Sequence, residues 1–330
     1  MKKNILGLIC ILMAFGAQAQ DSLARYDLHE IDSFIDIYKE IHDYEQLLVY
    51  AEYGVAKAKK LYGVEDTLYA KMLFSLGYFY DYAEGDSDKA MDIYTRVGAI
   101  QKEQVPNSMA YAETLWKTAG VLYYNWDEFE EAEPLYKKSA AIFVQKQRKE
   151  DLYHIYVLSD LAYLYRSTKR FDKAESLYLK IKEGYREKYG QNHHAYAESL
   201  NDLGNLYVEM ETKYEEVEKL YLEAKKIHVE AYAKKHPGYL VTLNNLAGFY
   251  TDMARLEAAE KLYLEVKFIY DKKSEHLTNE EDIDHALSLN NLAVLYMDLG
   301  RYEEAEQLFI ESKNVYLKAG GRMILLIWLV

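Results

Sequence analysis

LNNLAGFYTDMARLEAAEKLY (Leu243–Tyr263) and LNNLAVLYMDLGRYEEAEQLF (Leu289–Phe309) align without a gap, with small and aromatic residues at the same places. A chain that repeats itself at a fixed spacing is built from stacked copies of one supersecondary unit, so this repeat decides the fold.

The pattern extends to six copies. A small residue recurs at Gly77, Gly120, Ala162, Gly204, Ala247 and Ala293, with a tyrosine three residues later at Tyr80, Tyr123, Tyr165, Tyr207, Tyr250 and Tyr296. A second small or slim residue follows at Ala90, Ala132, Ala174, Val217, Ala259 and Ala305, and an aromatic four residues beyond it at Tyr94, Tyr136, Tyr178, Tyr221, Tyr263 and Phe309. The intervals between the first tyrosines are 43, 42, 42, 43 and 46 residues. Small residues let two antiparallel helices approach closely, and the aromatics fill the space between pairs. One pair cannot bury its apolar faces alone, so neighbours must stack.

This frame resembles that of the tetratricopeptide repeat, W-x2-L-G-x2-Y followed by A-x3-F. The second copy, WKTAGVLYYNWDEFEEAEPLY, places Trp116, Gly120, Tyr123, Ala132 and Tyr136 in it, with Ala119 in the leucine position. The period near 42 exceeds the ordinary 34 residues, and the resemblance is to the long repeat of the kinesin light chain type. Its hallmarks here are HPGY at His236–Tyr239, the LNNLA cores, and the second helices EAEPLY and EEAEQLF. The resemblance implies an all-α fold, a right-handed α-α superhelix of the tetratricopeptide type. Residues 65–318 are predicted to form six helix pairs, and residues 20–64 a degenerate N-terminal capping repeat. In that cap Tyr38 lies 42 residues before Tyr80, but Ile35 stands where the other copies have glycine or alanine. One extra residue precedes Ala90 and another precedes Val217, while a longer connection, HLTNEEDID, precedes the last copy. Pro134 falls near the start of a second helix, where a bend is expected and not a break.

The first nineteen residues carry Lys2 and Lys3, an apolar run from Ile5 to Phe15, and Ala17-Gln18-Ala19. They read as a secretory signal cut after Ala19, which predicts an exported protein, periplasmic or extracellular. Cys10 is the single cysteine and would leave with the signal, so no disulfide is expected. Cleavage also removes two lysines and takes the net charge from -14 to -16. Nucleic acid is a poor partner for such a chain, because its binding rests on neutralising phosphates. The apolar tail at 319–330, ending RMILLIWLV, is too short to cross a bilayer and reads as a truncated or frameshifted end, as the first third of a membrane helix, or as a short packed tail.

Chemistry is sparse. The sequence has no H-E-x-x-H, Gly-rich phosphate cradle or G-x-S-x-G elbow, and no enzyme activity, cofactor or metal is expected. The His193-His194 pair reads as part of a polar turn, and Glu128, Glu130, Glu131 and Glu133 as solvated carboxylates at a helix start. A scaffold that holds a protein or peptide in its concave groove is the expectation. The alternative is the sensor portion of a larger protein, such as those ending in a CHAT peptidase or a membrane histidine kinase, whose exported repeat regions this chain resembles. The groove-facing offsets of each first helix give Asn201, Asn244 and Asn290, with Asn205 beside them, as a ladder able to pair with a peptide backbone. In the first three copies the same face shows Phe74, Tyr78, Tyr82, Tyr124, Tyr156 and Tyr163 with Lys71, Lys117 and Arg166. That mixture predicts an acidic or aromatic partner segment.

Overall fold

The computed structural model describes residues 23–146, 151–234, 236–273 and 277–319. The signal at 1–19 and the tail from 320 lie outside them. The described residues form fourteen α-helices and no strand: α1 (Leu28–Glu40), α2 (Tyr44–Tyr62), α3 (Thr67–Phe79), α4 (Ser87–Gln104), α5 (Met109–Trp126), α6 (Phe129–Gln145), α7 (Leu152–Ser167), α8 (Phe171–Tyr189), α9 (His194–Glu209), α10 (Tyr214–Tyr232), α11 (Gly238–Asp252), α12 (Leu256–Lys273), α13 (Asn279–Asp298) and α14 (Tyr302–Lys318). They gather into two compact units, one ending at Lys169 and the other beginning at Arg170. In the first unit α1 to α7 pack in chain order, and α5 also touches α7. In the second, α8 to α14 do the same, with α9 against α11 and α11 against α13. Within each unit the first helices of successive pairs therefore lie side by side.

Side-chain caps start many of the helices, among them the second helices α2 (Asp43) and α4 (Asp86), while the first helix α11 has none. Several first helices begin with a side chain that accepts first-turn N–H groups: Asp27 for α1, Asp66 for α3, Ser108 for α5, Asp151 for α7 and Thr278 for α13. The second helices α6, α8, α10 and α14 have no such cap. Within the hairpins the turn also uses a left-handed residue, among them His42, Gly85, Asp127, Ala254 and Gly300. α6 runs unbroken through Pro134.

The packing shows why the small positions are small. A Cβ on Gly77 would lie 2.8 Å from Cε1 of Tyr94, and one on Gly204 2.6 Å from Cε1 of Tyr221. Each ring fills the room its glycine leaves. In the N-terminal hairpin the bulk has changed sides: Ile35 takes the glycine position and Ala51 the aromatic one, and both are buried in the core. The swap conserves volume, which cores tolerate best.

The frame tyrosines are tied as well as packed. The Tyr165 hydroxyl donates to Glu133 at 2.9 Å, Tyr207 to Glu175 at 2.7 Å and Tyr250 to Glu218 at 2.8 Å, each reaching the second helix of the preceding hairpin. Cations complete the tie: Arg255 donates to Glu218 at 2.7 Å and lies 4.1 Å over the Tyr250 ring. Glu133, read above as a solvated carboxylate, is thus largely covered and bonded, because the neighbouring tyrosine brings its hydroxyl there.

Candidate functional site

Each unit presents the side-by-side first helices as a surface, and the two surfaces differ. In the first unit α1, α3, α5 and the start of α7 enclose a concavity of about 830 Å³. Lys71, Phe74, Tyr78, Tyr82 and Lys117 line it, together with Asp36, Glu113 and Trp116. The rings of Tyr78 and Tyr82 stack at 4.5 Å. The Lys117 ammonium lies over the Trp116 ring at 4.0 Å and donates to the Tyr82 hydroxyl at 2.7 Å.

The geometry depends on the residue inserted before Ala90. It is absorbed as a π-helical turn, Tyr80–Glu84, continuing α3 and closed by left-handed Gly85. The turn carries Tyr82 onto the pocket and Asp81 to the Tyr94 hydroxyl, 3.3 Å away. A smaller hollow of about 240 Å³ joins Tyr82, Trp116 and Lys117 to Tyr124 and Asp160. Asp160 accepts from Trp116 Nε1 at 2.6 Å and from the Tyr124 hydroxyl at 2.8 Å. Burial nevertheless raises its pKa, and raises those of Asp81 and Glu113. Burial likewise lowers the pKa of Lys39 and Lys117, while Tyr78 and Tyr82 are pushed up to about 12, again chiefly by burial.

This pocket is not the cationic face expected from the sequence. Lys71 pairs with Asp32, and Lys39 lies 3.9 Å from Asp36 while donating to Ser75 at 3.1 Å. Four carboxylates, Asp32, Asp36, Glu40 and Glu113, line the concavity beside three lysines. Glu113 was legible: it stands four residues before Lys117, on the same helical stripe. From the sequence Trp116 reads as a frame residue alone. Tyr156 joins the site by stacking on Trp116 at 6.1 Å. Phe74 is mostly core, 5.4 Å from Tyr94. Tyr163 and Arg166 lie against each other at 5.4 Å and line neither hollow.

In the second unit the asparagines occupy matching places on α9, α11 and α13. Asn201 is 4% exposed, and its amide donates to Thr242 Oγ1 at 2.8 Å. Asn205 is committed too, accepting from the Tyr221 hydroxyl at 2.6 Å. What the ladder retains is oxygen: the side-chain carbonyls of Asn201, Asn244 and Asn290 are each buried without a hydrogen-bond partner. An orphaned buried acceptor costs about 1–3 kcal/mol, so three in one register need a reason.

Family models described as tetratricopeptide repeat match residues 153–216, 240–267 and 285–319. The chain carries tetratricopeptide repeats. Among solved structures it is similar to a putative kinesin light chain of Podosopora anserina with nearly identical TPR-like repeats (TM-score 0.56, 20% identity, 63% of this chain and 98% of that one). It is also similar to a signal-transduction ATPase with a tetratricopeptide repeat sensor from Pyrococcus horikoshii (TM-score 0.67, 14% identity, 95% of this chain and 46% of that one). A third is the apo form of the quorum sensor NprR from B. thuringiensis (TM-score 0.56, 13% identity, 91% of each chain). At these identities the likeness concerns the fold. A comparison with curated proteins finds no match. Among the described residues no helix is long and apolar enough to cross a membrane.

Proposed function

We propose that this chain is an exported scaffold that holds an extended protein or peptide segment against its first helices. The observation that carries the reading is the row of Asn201, Asn244 and Asn290 on successive first helices, with their side-chain carbonyls buried and unpartnered; Asn244 and Asn290 are partly exposed, and a turn of each amide brings its oxygen to the groove. Backbone N–H groups of an extended segment are the complement of such a row, and they read no side-chain sequence. The first unit, taken by itself, offers a pocket that can select among segments. Its stacked tyrosines and Trp116 take an aromatic or aliphatic side chain, and its mixture of carboxylates and lysines favours a segment bearing both charges. Export rests on the Lys2-Lys3, apolar and Ala17-Gln18-Ala19 pattern of the first nineteen residues.

A second reading keeps the same surface but makes it the sensor of a larger protein, as the sensor repeats of the Pyrococcus ATPase are described. The test of the surface serves both. Random peptides are selected on the folded chain, and enriched ones are measured against Asn244→Ala/Asn290→Ala. Helical content should be unchanged and affinity should fall about tenfold or more, at roughly 1 kcal/mol per lost bond. Failure to enrich any peptide, or binding indifferent to the double substitution, removes the ladder from the function.

A further inference from the structure

Two groups of three potential metal ligands converge among the described residues: His194, Glu198 and His236, and Asp271, His285 and Glu311. In each group the ligand atoms lie within 4.8 Å of one another. The second group already contains a cation. Lys267 Nζ donates to Glu311 at 2.6 Å and to Asp271 at 3.1 Å, where a metal would otherwise sit. In the first group, by contrast, Glu198 faces the His194 ring, with Nδ1 to Oε1 at 3.2 Å, and no lysine or arginine among the described residues pairs with it.

More imidazole surrounds that group. His193 lies 4.3 Å from His194 and His194 4.3 Å from His236, and His236 stacks on His228 at 5.4 Å, all centroid to centroid. The sequence scatters these four histidines over the start of α9, the last turns of α10 and the start of α11, and the fold stacks them. His228 is fully buried, and neither of its ring nitrogens has a partner. Gly238 makes the room: a Cβ there would stand 2.9 Å from Cε1 of His228 and 3.1 Å from Nδ1 of His236. The two imidazoles of His194 and His236 and the Glu198 carboxylate are the donor set, and His228 packs behind them.

We infer that His194, Glu198 and His236 bind a divalent transition metal of the zinc class. Two imidazoles and one carboxylate form a ligand set that zinc accepts. His194 and Glu198 stand four residues apart on the first turns of α9, so both point from one helical face. Binding requires two adjustments. The rings of His194 and His236 are within 25° of parallel, whereas a metal lies in the plane of each ring it binds, so His194 must turn about its Cβ–Cγ bond. Its side chain is 35% exposed, which leaves room to turn. His236 Nδ1 accepts from the Gly238 N–H at 3.1 Å, so a metal on Nε2 shifts the ring proton to Nδ1 and releases that bond. The release limits affinity but does not block coordination. A bound ion would tie the start of α9 to the start of α11, and so clamp two successive hairpins.

The test uses the full chain without a histidine tag, titrated with Zn²⁺ by calorimetry and with Co²⁺ by visible absorption. One ion per chain is expected, with a cobalt band in the visible and a rise in melting temperature. Glu198→Gln and His194→Ala should each weaken binding at least about tenfold. His236→Asn should do the same while keeping an acceptor for Gly238 N–H, which separates the metal from the helix start. His285→Asn, in the second group, should change nothing. Absence of Zn²⁺ binding by the wild-type chain, or wild-type affinity in the three first-group variants, would overturn the assignment.

Discussion

Glycine 204 and glycine 120 hold the same place in their copies and face different neighbours. A Cβ on Gly204 would meet the Tyr221 ring at 2.6 Å, whereas one on Gly120 would meet only the Tyr136 hydroxyl, at 3.9 Å. Tyr221 is held by its bond to Asn205 and cannot give way freely. Gly204→Ala should therefore cost about 1–3 kcal/mol by overpacking. Gly120→Ala should gain up to about 1 kcal/mol in helix propensity. Urea midpoints that move the same way for both would contradict this packing. The tyrosine–glutamate ties make a second prediction. The Arg255 bond, and after it the Tyr250 bond, lowers the pKa of Glu218 below the ordinary 4.5. Glu175 is lowered in the same way by Lys213 and then Tyr207. A depressed carboxylate contributes stability that is fully present above its unfolded pKa and lost as pH falls through the folded value. Glu175→Gln/Glu218→Gln should thus be less stable at pH 7, by up to about 1 kcal/mol per partly exposed site. The gap to wild type should close in acid, below the range of both carboxylates. A gap that is constant with pH would show that charge plays no part.

At the scale of the helix and its turn, one inserted residue is solved in two ways. Before Ala90 it becomes the π-helical turn Tyr80–Glu84. Before Val217 it is taken up in a loop where both Glu211 and Lys213 are left-handed. The first solution moves an aromatic side chain, Tyr82, onto the first-unit concavity. Deleting Ala83 restores the spacing of the uninterrupted copies and should keep the fold helical. It should also separate Tyr82 from Tyr78 and Lys117, and weaken ligands of the first-unit pocket about tenfold, as expected from losing a stacked ring pair. Peptide affinity unchanged by the deletion would show that the π turn has no role in recognition. The turn between α11 and α12 offers a stability test. Ala254 is left-handed, at φ 53°, in a position that glycine fills at Gly85 and Gly300. Ala254→Gly should stabilise the chain by roughly 0.5–1 kcal/mol, relief of the left-handed strain exceeding the added freedom of the unfolded chain. Thermal melts would show it.

The helices gather into two units, and within each unit a helix packs chiefly on its chain neighbours. Stability is then close to a sum of hairpin and interface terms, and unfolding need not be two-state. Gly204→Ala should accelerate hydrogen exchange through α9 to α11 and leave α3 to α6 nearly unchanged. Exchange that rises equally in both units would establish a single cooperative block.

The sequence by itself determined the helices and their pairing, because burial of a helical face imposes a period that can be read from small and aromatic residues alone. It also determined which side chains reach the first-helix faces, since offsets along one helix fix direction. Tertiary structure decided what those side chains do there. Lys71 and Lys117 read as a cationic face until α1, α3 and α5 bring Asp32, Asp36 and Glu113 beside them. Asn205 reads as a rung until Tyr221, sixteen residues away, takes its oxygen. His194, His228 and His236 read as three unrelated turn and helix residues, and packing makes them one stack. Charge balance, hydrogen-bond commitment and ligand geometry depend on distances between helices, and no periodicity within one helix contains them.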